Sequence, residues 1–281
     1  MRAIEDNGFV GRERATRHSI SCALVCEDAQ GMQRDYWYSS ARAASDLEAA
    51  EHIGRHAAER AVRRLGARQL ATRECPVLFV PEVARSLLGH LVGAVSGGAL
   101  YRRASFLLDH AGKAVLPAWM SLREEPHLRR GHGSGAFDSE GVATVASDLV
   151  RDGVLQRYVL GSYSARKLGL ESTGNAGGIH NLVANANAGD FADLVARMGS
   201  GLVVTELMGQ GVNLVTGDYS RGAAGFWVED GAIAYPVEEI TIAGNLRQML
   251  LGIEAVGSDV DQRSHILCGS SLLGRMTVAG S

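Results

Sequence analysis

The chain has 281 residues, 46% of them hydrophobic, and a formal net charge of -3. That length carries one large domain or two small ones around a sizeable core. The near-balanced charge leaves no electrostatic footprint for nucleic acid, no apolar run approaches the ~20 residues of a membrane span, and Met1-Arg2-Ala3-Ile4-Glu5-Asp6 lacks the apolar core of a signal peptide.

In chain order, partial alternation at Ile20, Cys22, Leu24 and Cys26 predicts a strand over 19–26. Asp28-Ala29-Gln30-Gly31 supplies a turn, and 32–39 returns. Ser45 with Glu48 three residues on matches a capping box. It opens a helix whose apolar stripe is Leu47, Ala50, Ile53, Ala57, Ala61 and Leu65, ended by Gly66. A short strand over 76–80 leads into a helix over 81–102, apolar at Leu87, Leu88, Leu91, Val92 and Val95. Turn glycines then recur at Gly112, Gly131, Gly141, Gly153 and Gly161. Strands are predicted over 114–116, 154–160, 202–208, 214–219, 225–228, 232–235 and 240–242, with Gly222 and Gly231 in turns of antiparallel hairpins. A helix over 246–255 and short strands near 266–268 and 272–273 close the chain.

The residue patterns that carry chemistry elsewhere are short here. His52 and His56 have the i, i+4 spacing of a helical metal pair but flank the apolar stripe without a third ligand nearby, which is the pattern of a solvated helix face. Ser164-Ala165-Arg166-Lys167 fits Ser-x-x-Lys, yet the partner motifs of serine acyltransferases are missing, and a short helix end stopped by Gly169 accounts for it. His265 and Cys268, three apart on a strand, point to opposite faces, wrong for a nucleophilic dyad; Cys268 reads as a small buried hydrophobe. The glycine runs 131–135 and 209–211 match no nucleotide-binding fingerprint. The four cysteines, Cys22, Cys26, Cys75 and Cys268, form no CxxC pair, which suits reduced thiols and a cytoplasmic location. Thr173-Gly174-Asn175-Ala176-Gly177-Gly178-Ile179-His180-Asn181 is either a plain surface loop or a place where another backbone approaches, with Thr173, Gly174, Asn175, His180 and Asn181 as its peptide-binding candidates.

The segment Leu87-Leu88-Gly89-His90-Leu91-Val92-Gly93-Ala94-Val95 resembles the helix Leu-Leu-His-Glu-x-x-Gly-His-Gly of the TldD/TldE (PmbA) peptidase family. Further matches follow in order: Arg17 to Cys22, Met32 to Ser39, Ala104 to Asp109, Ser162 to Leu170 with Thr173 to Gly178, Gly217 to Trp227, and Met276 to Gly280. The likeness runs from about Asn7-Gly8-Phe9 to the end. Laid on this chain, the first ligand His falls on Gly89, the catalytic Glu on His90 and the second ligand His on Ala94. A helical zinc site needs donors about one turn apart with a Glu between them, and Gly and Ala offer no lone pair. The resemblance is therefore to the family's metal-free subunit, TldE (PmbA). In the metal-bearing subunit a third ligand, a Cys, comes from the C-terminal region.

The resemblance implies an α+β fold: a C-terminal domain rich in antiparallel strands with covering helices over 73–281, preceded over 1–72 by the hairpin-plus-helix remainder of an N-terminal α/β domain whose first part lies before Met1. It implies a non-catalytic subunit of a cytoplasmic zinc metallopeptidase complex that cleaves unfolded or small peptides, leader peptides included. No cofactor is expected in this chain; zinc and general base belong to a TldD-like partner. The expected partners are that subunit and a peptide, with a homo-oligomer in isolation. Two other readings stay open: a protein-binding modulator, after the family's older description as a modulator of DNA gyrase, and an autonomous hydrolase using Ser164 or Cys268.

Overall fold

A computed structural model of the chain describes residues 2–6, 9–29 and 31–280. The first unit holds hairpin β1 (Arg2–Asp6) and β2 (Phe9–Glu13), then the longer hairpin β3 (His18–Asp28) and β4 (Gly31–Ala41), and helix α1 (Ala50–Val62). Gln30 of the predicted turn lies outside the described residues, as do Met1, Asn7 and Gly8; beside Gln30, the Gly31 N–H donates to the Asp28 carboxylate at 3.1 Å. Ile53, Ala57 and Ala61 bury the stripe of α1 against one face of the hairpin. The predicted capping box does not form. The Glu48 N–H donates to Ser39 Oγ at 3.1 Å, and Ser45 Oγ turns to Asp46, so α1 begins at Ala50 behind a 3-10 turn over Ala44–Asp46. The neighbouring strand takes the donor that the box would have used. The α1 hydrogen bonds end at Val62, and turns carry the chain to Gly66, at φ +71°.

The second unit is strand-rich with covering helices, and the molecule as a whole is α+β. Its elements are β5 (Arg73–Phe79), α2 (Pro81–Ala94), α3 (Gly97–Tyr101), β6 (Leu122–Glu124), β7 (Ser147–Arg151), β8 (Val154–Leu155), α4 (Ser162–Leu168), β9 (Leu182–Ala184), α5 (Phe191–Met198), β10 (Gly201–Met208), β11 (Asp218–Glu229), β12 (Ala232–Asn245), α6 (Leu246–Leu251), β13 (Ile253–Val256), β14 (Ile266–Leu267) and β15 (Ser271–Ala279). The main sheet has the order β12-β11-β10-β5-β15-β13, and β12 also pairs with β15, so five strands close into a ring. Closure removes the free edges that an open sheet would expose. All its ladders are antiparallel except β5 with β10, where Val77 to Phe79 run alongside Leu202 to Val204. Val77, Leu78, Phe79, Leu202, Val203 and Val204 are all essentially buried. The second sheet, β14-β9-β6-β7-β8, is smaller and carries one parallel ladder, β14 with β9.

Several sequence expectations change. The helix predicted over 81–102 is two: Val95 and Ser96 leave the helical path, Ser96 Oγ donates to Gly93 O at 2.8 Å, and the Gly97 N–H donates to Val159 O at 2.9 Å. The strands predicted over 225–228, 232–235 and 240–242 are parts of two long strands, β11 and β12. The apparent gap at Glu238-Glu239 is a bulge, with Glu239 at φ +52° and the register shifting between Ala223 and Gly225. Gly222 lies inside β11; Gly231, at φ +72°, is the real turn. Only 218–219 of the strand predicted over 214–219 is strand, because 213–217 turns back under the Asn213, Thr216 and Asp218 side chains. Residues 114–116 make a single bridge, Ala114 to Val154, and the strand over 154–160 stops at Leu155. The helix over 246–255 ends at Leu251 and gives way to β13.

The two units are fastened by Arg263. Its guanidinium lies 3.9 Å from the Trp37 ring centroid and 4.6 Å from that of Tyr38, donates to Tyr38 O at 3.0 Å and to Asp261 at 2.8 Å, and meets Glu82 at 3.1 Å. Replacing Arg263 by Ala leaves Asp261 with Arg85 and Glu82 with Arg60 as their remaining cations and removes the stacked guanidinium. The expected loss is about 3 kcal/mol, read as a lower urea midpoint. An Arg263→Lys variant is expected to recover little of it, since an ammonium cannot reproduce the fork.

Candidate functional site

Helix α2 runs from Pro81 at its first turn, with Val83, Ala84, Leu87, Leu88, Leu91 and Ala94 buried. Gly89, His90 and Ala94 therefore sit on a well-ordered helix. Ala94 faces the core, and Gly89 and His90 are half-buried. A Cβ built on Gly89 would meet only Ile266 Cδ1 at 3.8 Å, an ordinary contact. His90 packs edge-on against the Tyr219 ring at 6.0 Å, and its Nε2 is buried without a hydrogen-bond partner. Burial, with the charge of Arg221 adding to it, lowers the His90 pKa below 6.5 and keeps the ring neutral near pH 7. These residues do not fit a metal. One imidazole against an aromatic ring is the only donor of the three positions, and among the described residues no group of three His, Cys, Asp or Glu side chains converges.

The loop over 173–181 is pinned from inside. Glu124, at the end of β6 and 2% exposed, is its hub. Oε1 accepts from the His180 N–H at 2.6 Å, His180 Nδ1 at 2.8 Å and Asn175 Nδ2 at 2.8 Å, and Oε2 takes the Arg157 guanidinium. Burial pushes the Glu124 carboxyl up, but the His180 hydrogen bonds and the Arg157 charge outweigh it and hold the pKa below the ordinary 4.5. Asn175 Oδ1 accepts from Arg157 and from Thr173 Oγ1. Asn181, fully buried, accepts from the Gly133 N–H and donates to Glu125 O and Ser134 Oγ. Gly174 holds φ +69°, where a Cβ would press on Ala143 O. The polar atoms of Asn175 and Asn181 are thus used within the protein. What the loop offers a ligand is its backbone and the outer nitrogen of the His180 ring, which the Glu124 bond fixes in orientation.

The other sequence candidates scatter. His52 Nδ1 donates to Glu48 Oε2 at 2.7 Å, and the His56 ring stacks on that of His52 at 5.9 Å and packs edge-on to Trp37 at 4.2 Å. Ser164 Oγ donates to Gly161 O within α4, which Gly169 ends at φ +68°. Lys167 lies over Tyr163. Cys268 is buried, its thiol pushed up to about 12 by that burial, while His265 is exposed. Cys75 is likewise buried and raised to about 11. Neither thiol is a nucleophile near neutral pH. Sequence reasoning missed Glu124 and Arg157, which lie 51 and 18 residues from Asn175; no local pattern marks them.

Two measurements test this geometry. Glu124→Gln leaves Arg157 buried without its counter-charge; a loss of about 3 kcal/mol in urea unfolding is expected, with faster amide exchange over 173–181. A loss near zero would remove Glu124 as the hub. For His90, the folded state favours the neutral ring. Its stability contribution is full above pH 6.5 and declines as pH falls below that value, because the unfolded chain takes up the proton first. His90→Phe is expected to flatten the loss of stability between about pH 6.5 and 5; an unchanged slope would contradict the burial of the ring.

Known proteins agree with this architecture. Residues 72–280 match the model of the PmbA/TldA metallopeptidase C-terminal domain, and residues 4–65 that of the central domain. Metalloprotease PmbA of Escherichia coli O157:H7 is 54% identical over 266 residues, 95% of this chain and 59% of that protein. A crystal structure from Bacteroides thetaiotaomicron, of a protein named as a candidate modulator of DNA gyrase, superposes with a TM-score of 0.93 at 30% identity, covering 98% of this chain and 62% of that one. TldE from Thermococcus kodakarensis gives a TM-score of 0.83 at 22% identity over 94% and 63%, a likeness of fold. The chain spans about three fifths of the length of the curated relatives it matches. With both domain models matched in order and more than half of its residues shared with a PmbA metalloprotease, this chain belongs to the PmbA/TldD metallopeptidase family.

Proposed function

We propose that this chain is the metal-free subunit of a TldD/TldE-type zinc metallopeptidase in the cytoplasm, with zinc and the general base supplied by a TldD-like partner chain. The observation that carries the reading is the donor set of α2. Gly89 and Ala94 hold no lone pair where the resemblance puts ligands, and His90 is neutral, buried at Nε2 and packed on Tyr219. In this reading the chain's own residues bind and orient rather than react. β14, the terminal strand of the second sheet, runs beside Gly89, and the loop over 173–181, held by Glu124, adds backbone groups nearby. An extended, unfolded peptide is a natural occupant of such a wall, paired through its main chain. Leader peptides and small unfolded fragments are the substrates in view.

The test is co-expression with a TldD-like protein, zinc counted in each purified chain, and cleavage of casein or a short unfolded peptide. Copurification, zinc with the partner alone and cleavage requiring both chains is the expected result, and His90→Ala in the complex is expected to leave the rate within about twofold. Zinc or cleavage in this chain by itself would overturn the reading. Failure to associate would favour the protein-binding modulator that the name of the Bacteroides relative suggests.

A further inference from the structure

Between α1 and the wall of the strand ring lies a cavity of about 610 Å³. That is the size of a small-molecule or short-peptide site. Its apolar surface comes from Trp37, Phe191, Val203, Phe226 and Ile233. Val80, Pro81 and Glu82 also line it, so it lies beside the N-terminal end of α2, and neither Gly89 nor His90 lines it.

The charges around it are almost all matched internally. Asp35 pairs with Arg60 at 3.3 Å and Arg64 at 3.8 Å. Glu82 pairs with Arg60 and Arg263, and Asp261 with Arg85 and Arg263. Asp259 accepts from the Ser270 N–H and hydroxyl, and Glu48 from Trp37 Nε1. Arg63 is the exception. Its guanidinium lies 5.1 Å over the Phe226 ring and makes no hydrogen bond or ion pair among the described residues. Gln262, exposed at the rim, is likewise without a hydrogen-bond partner among them.

We propose that this cavity binds the free C-terminal residue of an apolar peptide. The side chain fills the aromatic floor, the carboxylate meets the fork of Arg63, and Gln262 pairs with the preceding peptide group. The complementarity is specific. A guanidinium matches a carboxylate in two parallel hydrogen bonds. A phosphate dianion would bring two charges where Arg63 is the one lining cation left unpaired among the described residues, and an amine would meet Arg63 itself. A primary amide such as Gln262 offers donors and an acceptor together, which a peptide unit matches on both counts, whereas an ionised fatty acid has no donor for the acceptor. The site stands independently of the α2 reading, because it concerns this chain without a partner or zinc.

The test uses the isolated chain and calorimetric titration with three probes: N-acetyl-Ala-Leu-Phe as the free acid, the same peptide as its C-terminal amide, and octanoate. Saturable binding of the acid, at least tenfold tighter than the amide and than octanoate, is expected. Arg63→Gln, at an exposed position, is expected to abolish the acid–amide difference without moving the melting temperature, and Gln262→Ala to weaken the peptide acid only. Equal binding of acid and amide, no saturable binding, or an Arg63→Gln protein that still discriminates would overturn the proposal. Octanoate binding as tightly as the peptide acid would overturn the peptide assignment.

Discussion

The contact on which the rest of the molecule depends is the Arg263 cation held between two aromatic rings of the hairpin. A long two-stranded hairpin with one covering helix is marginal by itself. Here it is joined to the larger unit through Arg263 on Trp37 and Tyr38, with Asp261 and Glu82 closing the charge. Around this point Arg60, Arg64 and Arg85 bind Asp35, Glu206 and Asp261, so the boundary is a lattice of alternating charges rather than an apolar seam. Such a lattice fixes geometry more than it adds net stability, because each buried ion gives up its hydration. What it fixes is the entry to α2. Glu82, in the first turn of that helix, is tied to Arg60 from the hairpin unit and to Arg263 from the loop before β14. The cavity beside it inherits its walls from the same contacts.

A second constraint is the closed ring of strands. Five strands close on one another, and two glycines in this unit lie where backbones approach closely. Gly225 lies where a Cβ would overlap Val203 O, opposite the register shift of β10 and β11, and Gly280 lies equally close to Leu70 O. With the ring shut, the free edges among the described strands of this unit fall at β13, β14 and β8. Of these, β14 runs beside α2.

Much of this was legible locally. The β3–β4 hairpin follows from alternation with a turn between, and the buried stripes of α1 and α2 follow from helical period. What failed did so for identifiable reasons. The capping box at Ser45 was outcompeted by Ser39, nine residues before Glu48, which only the folded hairpin brings near. The opposite miss was α5, where Asp190 and Asp193 form a real capping box that the sequence showed in the Asp-x-x-Asp spacing. Glu238-Glu239 looked like a strand break because a bulge carries polar residues through a ladder. Arg263 was invisible because Tyr38 and Glu82 lie 225 and 181 residues away. In the candidate loop the amide side chains are committed within the protein. Asn175 and Asn181 look like free hydrogen-bonding groups in sequence, and three-dimensional context turns both inward.

Packing does not require Gly89 of α2, in contrast to glycines that a neighbour demands. Gly97 sits where a Cβ would run into Ser164, and Gly225 where it would strike backbone; each is demanded by a neighbour. Gly89 has an ordinary helical φ and one distant neighbour, Ile266 Cδ1 at 3.8 Å, so the fold leaves room there for a side chain. A glycine inside a helix costs about 1 kcal/mol against alanine. Neither sterics nor helix stability therefore accounts for Gly89, and the same holds for the neutral His90, whose buried Nε2 has no partner. Both are unfavourable for α2 taken alone.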